Sequence, residues 1–193
     1  VDITEDLLEV IEESWAADSQ ITPYELYLKL CYHLSQDARE AAAMYELPTE
    51  FDEKLLEYQK QAVKVLARRI NRNGGAILGD VVGLGKTLTA VATAALLGAE
   101  NSRFTTLVVC PVNLKGMWDS ILSFHKINFK VVPYSQVKNV LPELMRYDFV
   151  IFDESHYLRN HKTDHYTAIS EYLSREQPKV LLLSATPLNT KFR

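Results

Sequence analysis

Five short runs of unbroken apolar sequence punctuate the chain from Gly75 onward, at 76–79, 106–110, 130–134, 149–153 and 179–184, with helical periodicity between them. A strand covered by helices on both faces has no wet side, so its sequence does not alternate between polar and apolar residues. Parallel pairing needs a long return crossover between strands, and the helical stretches supply it. The expected body is therefore a three-layer α/β sandwich around a parallel sheet. Composition suits such a core: the 193 residues are 47% hydrophobic and 24% charged, which excludes a disordered or low-complexity chain. There is no internal repeat. No apolar run reaches the roughly 18 residues of a membrane span, and the acidic first residues lack the basic start of a secretory signal. Cys31 and Cys110 are too few for a disulfide scaffold and read as buried free thiols in a reducing compartment.

The part before Gly75 differs in charge and pattern. Residues 1–50 carry 12 acidic and 2 basic side chains, net −10, whereas residues 51–193 carry 13 and 19, net +6. A basic body suits a polyanionic partner, because each cation that neutralises a phosphate releases counterions. Ile3, Leu7, Leu8, Ile11 and Trp15 recur at helical spacing. Thr22-Pro-Tyr-Glu25 is a capping box with proline in the first turn, followed by an apolar face of Tyr24, Tyr27, Leu28 and Cys31. Ser35 is expected to cap a third helix. A further amphipathic helix is expected from Leu55 to Asn73, stopped by Asn73-Gly74-Gly75. Its row of Lys60, Lys64, Arg68 and Arg72, four apart, is expected to be the solvated side.

Gly79-Asp-Val-Val-Gly-Leu-Gly-Lys-Thr87 follows the first apolar run and opens an Ala/Leu-rich helix. Glycines at Gly83 and Gly85 let backbone N–H groups approach phosphate oxygens, and the helix end adds a positive dipole. Lys86 is placed to reach the β- and γ-phosphates and Thr87 to offer its hydroxyl to Mg²⁺. Aspartate at Asp80 stands where the general phosphate loop has its first glycine. Val150-Ile-Phe-Asp-Glu-Ser-His156 puts two carboxylates at the end of another buried strand, where open α/β sheets bind ligands. Asp153 suits the Mg²⁺ shell. Glu154 suits the attacking water, since phosphoryl transfer asks the protein chiefly for positioning and charge stabilisation. The expected activity is ATP hydrolysis.

These residues resemble a family. Asp80-Val-Val-Gly-Leu-Gly-Lys-Thr87 is similar to the phosphate loop of superfamily 2 helicases of the Swi/Snf remodeller type, which accounts for Asp80. Leu56-Glu-Tyr-Gln59 resembles the upstream glutamine motif, and Val109-Cys-Pro111 through Trp118 the segment after the second strand. Asp153-Glu-Ser-His156 is similar to the DExH box. Leu158-Arg-Asn160 resembles the Lys-Asn pair after that box, with Arg159 in place of lysine. Ser184-Ala-Thr-Pro-Leu-Asn189 resembles motif III, with Ser-Ala-Thr where Swi/Snf enzymes usually carry Gly-Thr. Val81-Val82 before Gly83 is most similar to bacterial members of the family.

The resemblance implies a RecA-like P-loop NTPase lobe at 55–193; the acidic charge and helical spacing ahead of it lead us to expect a helical accessory segment at 1–54 that packs and, repelling phosphate, does not bind DNA. The resemblance also implies a second lobe in a longer polypeptide, as does a chain that opens on Val1 and stops at Arg193. By the same resemblance Gln59 contacts adenine, and Asp80, Gly83, Leu84, Gly85, Lys86, Thr87 and Leu88 surround ATP. Lys86 and Glu154 serve catalysis with His156, Thr87 and Asp153 hold Mg²⁺, and Ser184 with Thr186 couples the nucleotide to lobe movement. The implied track is duplex DNA, and the implied location the bacterial nucleoid or the eukaryotic nucleus. A strand-separating helicase, a restriction-system motor and a nucleotide-binding module that never turns ATP over share these motifs. Arg159, His161 and Lys162, in the loop after the Asp153-Glu154 pair, are candidates for phosphate contact. Trp118 is expected in the core. His33, His125 and His165 lack metal-ligand spacing with the cysteines, so no metal but Mg²⁺ is expected.

Overall fold

The computed structural model describes residues 36–79 and 83–185, together with Thr22, Tyr24, Tyr27 and Leu28. Helix α1 (Gln36–Met44), the single turn α2 (Thr49–Asp52) and helix α3 (Glu57–Asn73) come first, and α1 packs on α3. Helix α3 stops where the sequence says it must. Gly74 takes a left-handed φ of 79°, and its N–H closes the last turn on the Ile70 carbonyl. The chain then alternates: β1 (Gly75–Leu78), α4 (Lys86–Gly98), β2 (Thr105–Cys110), α5 (Lys115–Phe124), β3 (Asn128–Pro133), α6 (Val137–Val140), β4 (Phe149–Phe152), α7 (Asp164–Glu176) and β5 (Lys179–Leu183). All five expected strands are present, with ends moved by two residues at most.

The strands form one parallel sheet in the order β1-β5-β4-β2-β3. Phe149 to Phe152 are buried on both faces, which explains why β4 is apolar without interruption. Ala76, Leu181, Ile151, Val108 and Val131 make one row across the sheet and meet α3, α4 and α5. Ile77, Leu182, Phe152, Val109 and Val132 make a row on the other face, where α6 and α7 pack through Val137, Ile169 and Tyr172. Each fully buried aliphatic or aromatic side chain here contributes about 1.5–3 kcal/mol relative to exposure.

Cover on that second face ends before the edge strand. Ile77 is 62% exposed, so the expectation of helices over both faces fails at β1. The basic row on α3 is a second correction. Lys60 pairs with Asp52 at 3.0 Å, and the Arg68 guanidinium pairs with Glu40 while its side chain is only 14% exposed. Lys64 is half-buried and Arg72 exposed. The acidic chain ahead of α3 lies along this side, so it is only partly wet.

Residues 41–55 join the lobe's own core: Ala41 is fully buried, and Phe51 and Leu55 belong to the cluster built by α3, α4 and α5. The His125 ring stacks on Phe51 at 4.6 Å with Nδ1 2.6 Å from Glu50 Oε1, which fixes α2 to the end of α5. Tyr24, Tyr27 and Leu28, expected to form a packed apolar face, are exposed. Val1 to Gln20, Cys31, His33, Ser35, Asp80, Val81, Val82, Thr186 and Asn189 lie outside the described residues. No helix among the described residues is long and apolar enough to cross a membrane.

Candidate nucleotide site

Three strands that are neighbours in the sheet deliver residues far apart in sequence to one edge. β1 leads into the phosphate loop, β5 ends beside Ser184, and β4 runs straight into Asp153. The ladder holds them in place one residue past each strand. Asp153 N–H donates to the Val109 carbonyl at 2.8 Å and Ser184 N–H to the Leu78 carbonyl at 3.1 Å. Ser184 is buried there, while its partner in the expected coupling pair, Thr186, is among the residues not described.

Gly83 and Gly85 have φ of 93° and 80°, a left-handed turn that other residues enter only under strain. Gly85, which has no side chain to cap with, is the residue ahead of α4, and no side-chain cap is formed among the described residues. A helix start led by a glycine attracts anions. Gly83 and Leu84 are exposed, and Gly85, Lys86, Thr87 and Leu88 half-buried, as a loop that wraps a ligand requires. Gln59 also has partners within the protein. Its Nε2 donates to the Leu84 carbonyl at 3.1 Å and its Oε1 accepts the Leu56 N–H at 2.9 Å. The side chain therefore stitches the start of α3 to the phosphate loop, and the Tyr58 hydroxyl adds a second bond to the same carbonyl at 3.3 Å.

Asp153 is 7% exposed. Burial pushes its carboxyl above the ordinary range; the Trp118 and Glu154 N–H donors work against that, Glu154's charge adds to it, and Lys86 opposes it. Trp118 Nε1 donates to Oδ2 at 2.9 Å, and the Glu154 N–H to Oδ1 at 2.9 Å. The Tyr134 hydroxyl donates to the Asp153 carbonyl oxygen at 3.0 Å. Glu154 sits at φ 51°, ψ 51°, a left-handed backbone that turns its carboxylate out of the strand line. His156 Nδ1 lies 3.1 Å from Glu154 Oε2. Behind them Tyr157 stacks on Tyr134 with centroids 5.0 Å apart, and His165 Nε2 is 3.1 Å from the Tyr157 carbonyl. Burial, with the Asp153 and Asp119 charges nearby, pushes the Cys110 thiol up to about 12.

The structure thus gathers Gln59, Gly83, Leu84, Gly85, Lys86, Thr87, Leu88, Asp153, Glu154, His156 and Ser184 around one sheet edge. Arg159, His161 and Lys162 are exposed on the loop that follows. Sequence reasoning missed Trp118, Tyr134 and Tyr58 as neighbours of the site. Only the pairing of a buried indole N–H with a distant carboxylate could have flagged Trp118, and a single sequence does not show it.

The SNF2-related domain family matches residues 58–139, from beside Gln59 to α6. The lobe is Swi/Snf-like. Over 174 residues it is 31% identical to the SWI/SNF-related matrix-associated actin-dependent regulator of chromatin subfamily A-like protein 1 homolog of Caenorhabditis elegans, an alignment covering 76% of this chain and 24% of that one. The Arabidopsis thaliana protein Switch 2 is 28% identical over 168 residues, 68% of this chain and 20% of that one. The chain thus spans about a quarter or less of the length of these relatives. The Sulfolobus solfataricus SWI2/SNF2 ATPase core, solved in complex with dsDNA, superposes with TM-score 0.60 at 22% identity over 70% of this chain and 32% of that one. That likeness shows the fold, a RecA-like α/β lobe. The family implies use of a nucleotide.

Proposed function

We propose that this chain is the ATP-binding lobe of a DNA translocase that hydrolyses ATP with Mg²⁺, moves along duplex DNA and remodels what is bound there. One observation carries the reading: the glycine-led start of α4 and the Asp153-Glu154 pair share one sheet edge, with the Lys86 charge close enough to act on Asp153. The donor set fits magnesium. A carboxylate and a hydroxyl are hard oxygen ligands, and magnesium usually takes one or two carboxylates plus substrate phosphates and not an all-protein cage. No group of three or more His, Cys, Asp or Glu able to hold a metal occurs among the described residues.

In this reading the Lys86 ammonium and the first N–H groups of α4 bind and orient the β- and γ-phosphates. Asp153 and Thr87 would hold the metal, which when bound would offset the phosphate charge. Glu154 orients the attacking water, with His156 fixing its carboxylate from 3.1 Å away. Gln59 reads adenine while tied to the phosphate loop, Asp80 takes the place of the loop's first glycine, and Ser184 with Thr186 passes the nucleotide state to a second RecA-like lobe. Arg159, His161 and Lys162 face the track. The acidic segment 1–54 packs on the lobe and its charge keeps phosphate off the basic side, as the pairs Lys60–Asp52 and Arg68–Glu40 already do locally. Val81-Val82 favours a bacterial source, and such a motor works where the DNA is: the bacterial nucleoid or the nucleus.

Phosphate release tests the reading, measured on this chain and on a polypeptide that adds a second lobe, each with and without duplex DNA. An arginine supplied by a partner element is typically worth 10³–10⁵ in turnover. The two-lobed protein is expected to show DNA-stimulated turnover, and this chain turnover barely above background. Strong DNA-stimulated hydrolysis by residues 1–193 alone would contradict the half-site reading.

A further inference from the structure

We propose that Trp118 is a positioning residue of the metal site: its indole N–H fixes the Asp153 carboxylate, so that helix α5 sets the orientation of the ligand offered to magnesium. This rests on the reading of Asp153 as the magnesium carboxylate. Trp118 is the largest fully buried side chain described. A buried indole N–H needs an acceptor, and a neighbouring backbone carbonyl is its ordinary choice. Trp118 instead reaches 35 residues along the sequence to Asp153 Oδ2 at 2.9 Å.

A carboxylate offers about four lone-pair sites. Glu154 N–H occupies one on Oδ1 and Trp118 one on Oδ2, which leaves one on each oxygen. Two donors on two oxygens fix the plane of the group. They differ in origin, however. The Glu154 donor belongs to the same turn as Asp153 and moves with it, whereas the Trp118 donor is carried by α5. Leu122 anchors the same helix in the core, and the Lys115–Asp119 pair at 2.6 Å flanks Trp118 on its outer side. Hydrogen bonds to an ionised acceptor are roughly twice as strong as neutral ones. Partners that orient a metal ligand from behind typically affect metal affinity 10–100-fold.

The test uses the whole chain, a non-hydrolysable ATP analogue and a magnesium titration. Trp118→Phe keeps most of the packing and removes the donor. The magnesium concentration for half-maximal analogue binding is expected to rise about tenfold or more, with analogue binding in EDTA unchanged. Asp153→Asn is titrated alongside. A shift in Asp153→Asn but none in Trp118→Phe overturns the inference and leaves the metal reading standing. No shift in either removes the metal reading and the inference with it. Loss of binding with and without magnesium in equal proportion shows a merely structural tryptophan and also overturns it. A second measurement needs no change at Trp118: the indole ¹H–¹⁵N resonance, assigned with Trp15→Phe. It is expected to move when magnesium joins the analogue, and to stay put in EDTA or in Asp153→Asn. A resonance indifferent to magnesium contradicts the proposal even if Trp118→Phe does not fold.

Discussion

Alanine at Gly85 brings two separable costs. The residue sits at φ 80°, where a side chain costs about 1–2 kcal/mol. The added Cβ lands 2.5 Å from Gln59 Nε2, so that side chain must leave. Gln59 then forfeits its bonds to the Leu84 carbonyl and the Leu56 N–H, at about 1 kcal/mol each. The total is about 3–4 kcal/mol. Gly83 is the internal control: its φ is 93°, yet nothing among the described residues lies within 4 Å of an added Cβ, so the backbone strain is the cost expected there. The difference of about 2 kcal/mol belongs to Gln59, and it corresponds to about 4–8 °C in Tm for a domain of this size. Thermal and urea unfolding of Gly83→Ala, Gly85→Ala, Gln59→Ala and the Gln59→Ala/Gly85→Ala pair measures it. In the Gln59→Ala background, Gly85→Ala is expected to cost the strain alone. Equal losses at the two glycines, or a Gly85→Ala cost unchanged by removing Gln59, would refute the stitch between α3 and the phosphate loop.

Three further outcomes follow from the same geometry. In a Cys31→Ser background, Cys110 is expected to ignore a thiol reagent at pH 8 until urea is added, because its thiolate forms only near 12; for the same reason its contribution to stability falls as pH rises from about 9 toward 12, since the unfolded thiol ionises first. Removing residues 1–35 is expected to leave a folded lobe that binds duplex DNA more tightly at low salt, with the gain fading as the screening length falls to about 8 Å; unchanged affinity at low salt would leave the segment as packing alone. Removing residues 1–54 also deletes the buried Phe51, and urea unfolding is expected to show a loss of at least about 3 kcal/mol.

The chemistry-bearing motifs were legible because each is local. Gly83 to Thr87 must turn left-handed and open a helix, and Asp153-Glu154 must follow a buried strand, whatever the rest of the chain does. The five strands were equally plain, since a strand buried on two faces leaves an unbroken apolar run. Strand order was not legible, and it is the insertion of β5 between β1 and β4 that brings Ser184 to the same edge as Lys86 and Asp153. Long-range pairing also hid the roles of Trp118 and Gln59, whose partners lie 35 and 25 residues away. Helical periodicity assigned Lys60 and Arg68 to the solvent because it cannot foresee that Asp52 and Glu40 fold back over them. The same limit applies to Ile77, whose run looks buried although among the described residues no helix covers its face of the edge strand.

Lys86 is the residue on which the site turns, since its ammonium and the start of α4 are the anion donors that face Asp153. Calorimetric titration of ATP with Mg²⁺ into the wild-type chain and into Lys86→Ala is the most direct measurement. Loss of a charge-assisted bond to phosphate, about 1.5–3 kcal/mol, weakens binding on the order of 10–150-fold. That weakening, with the nucleotide-free variant still unfolding cooperatively, is the predicted result; equal affinity in the two proteins would contradict a nucleotide site at the phosphate loop.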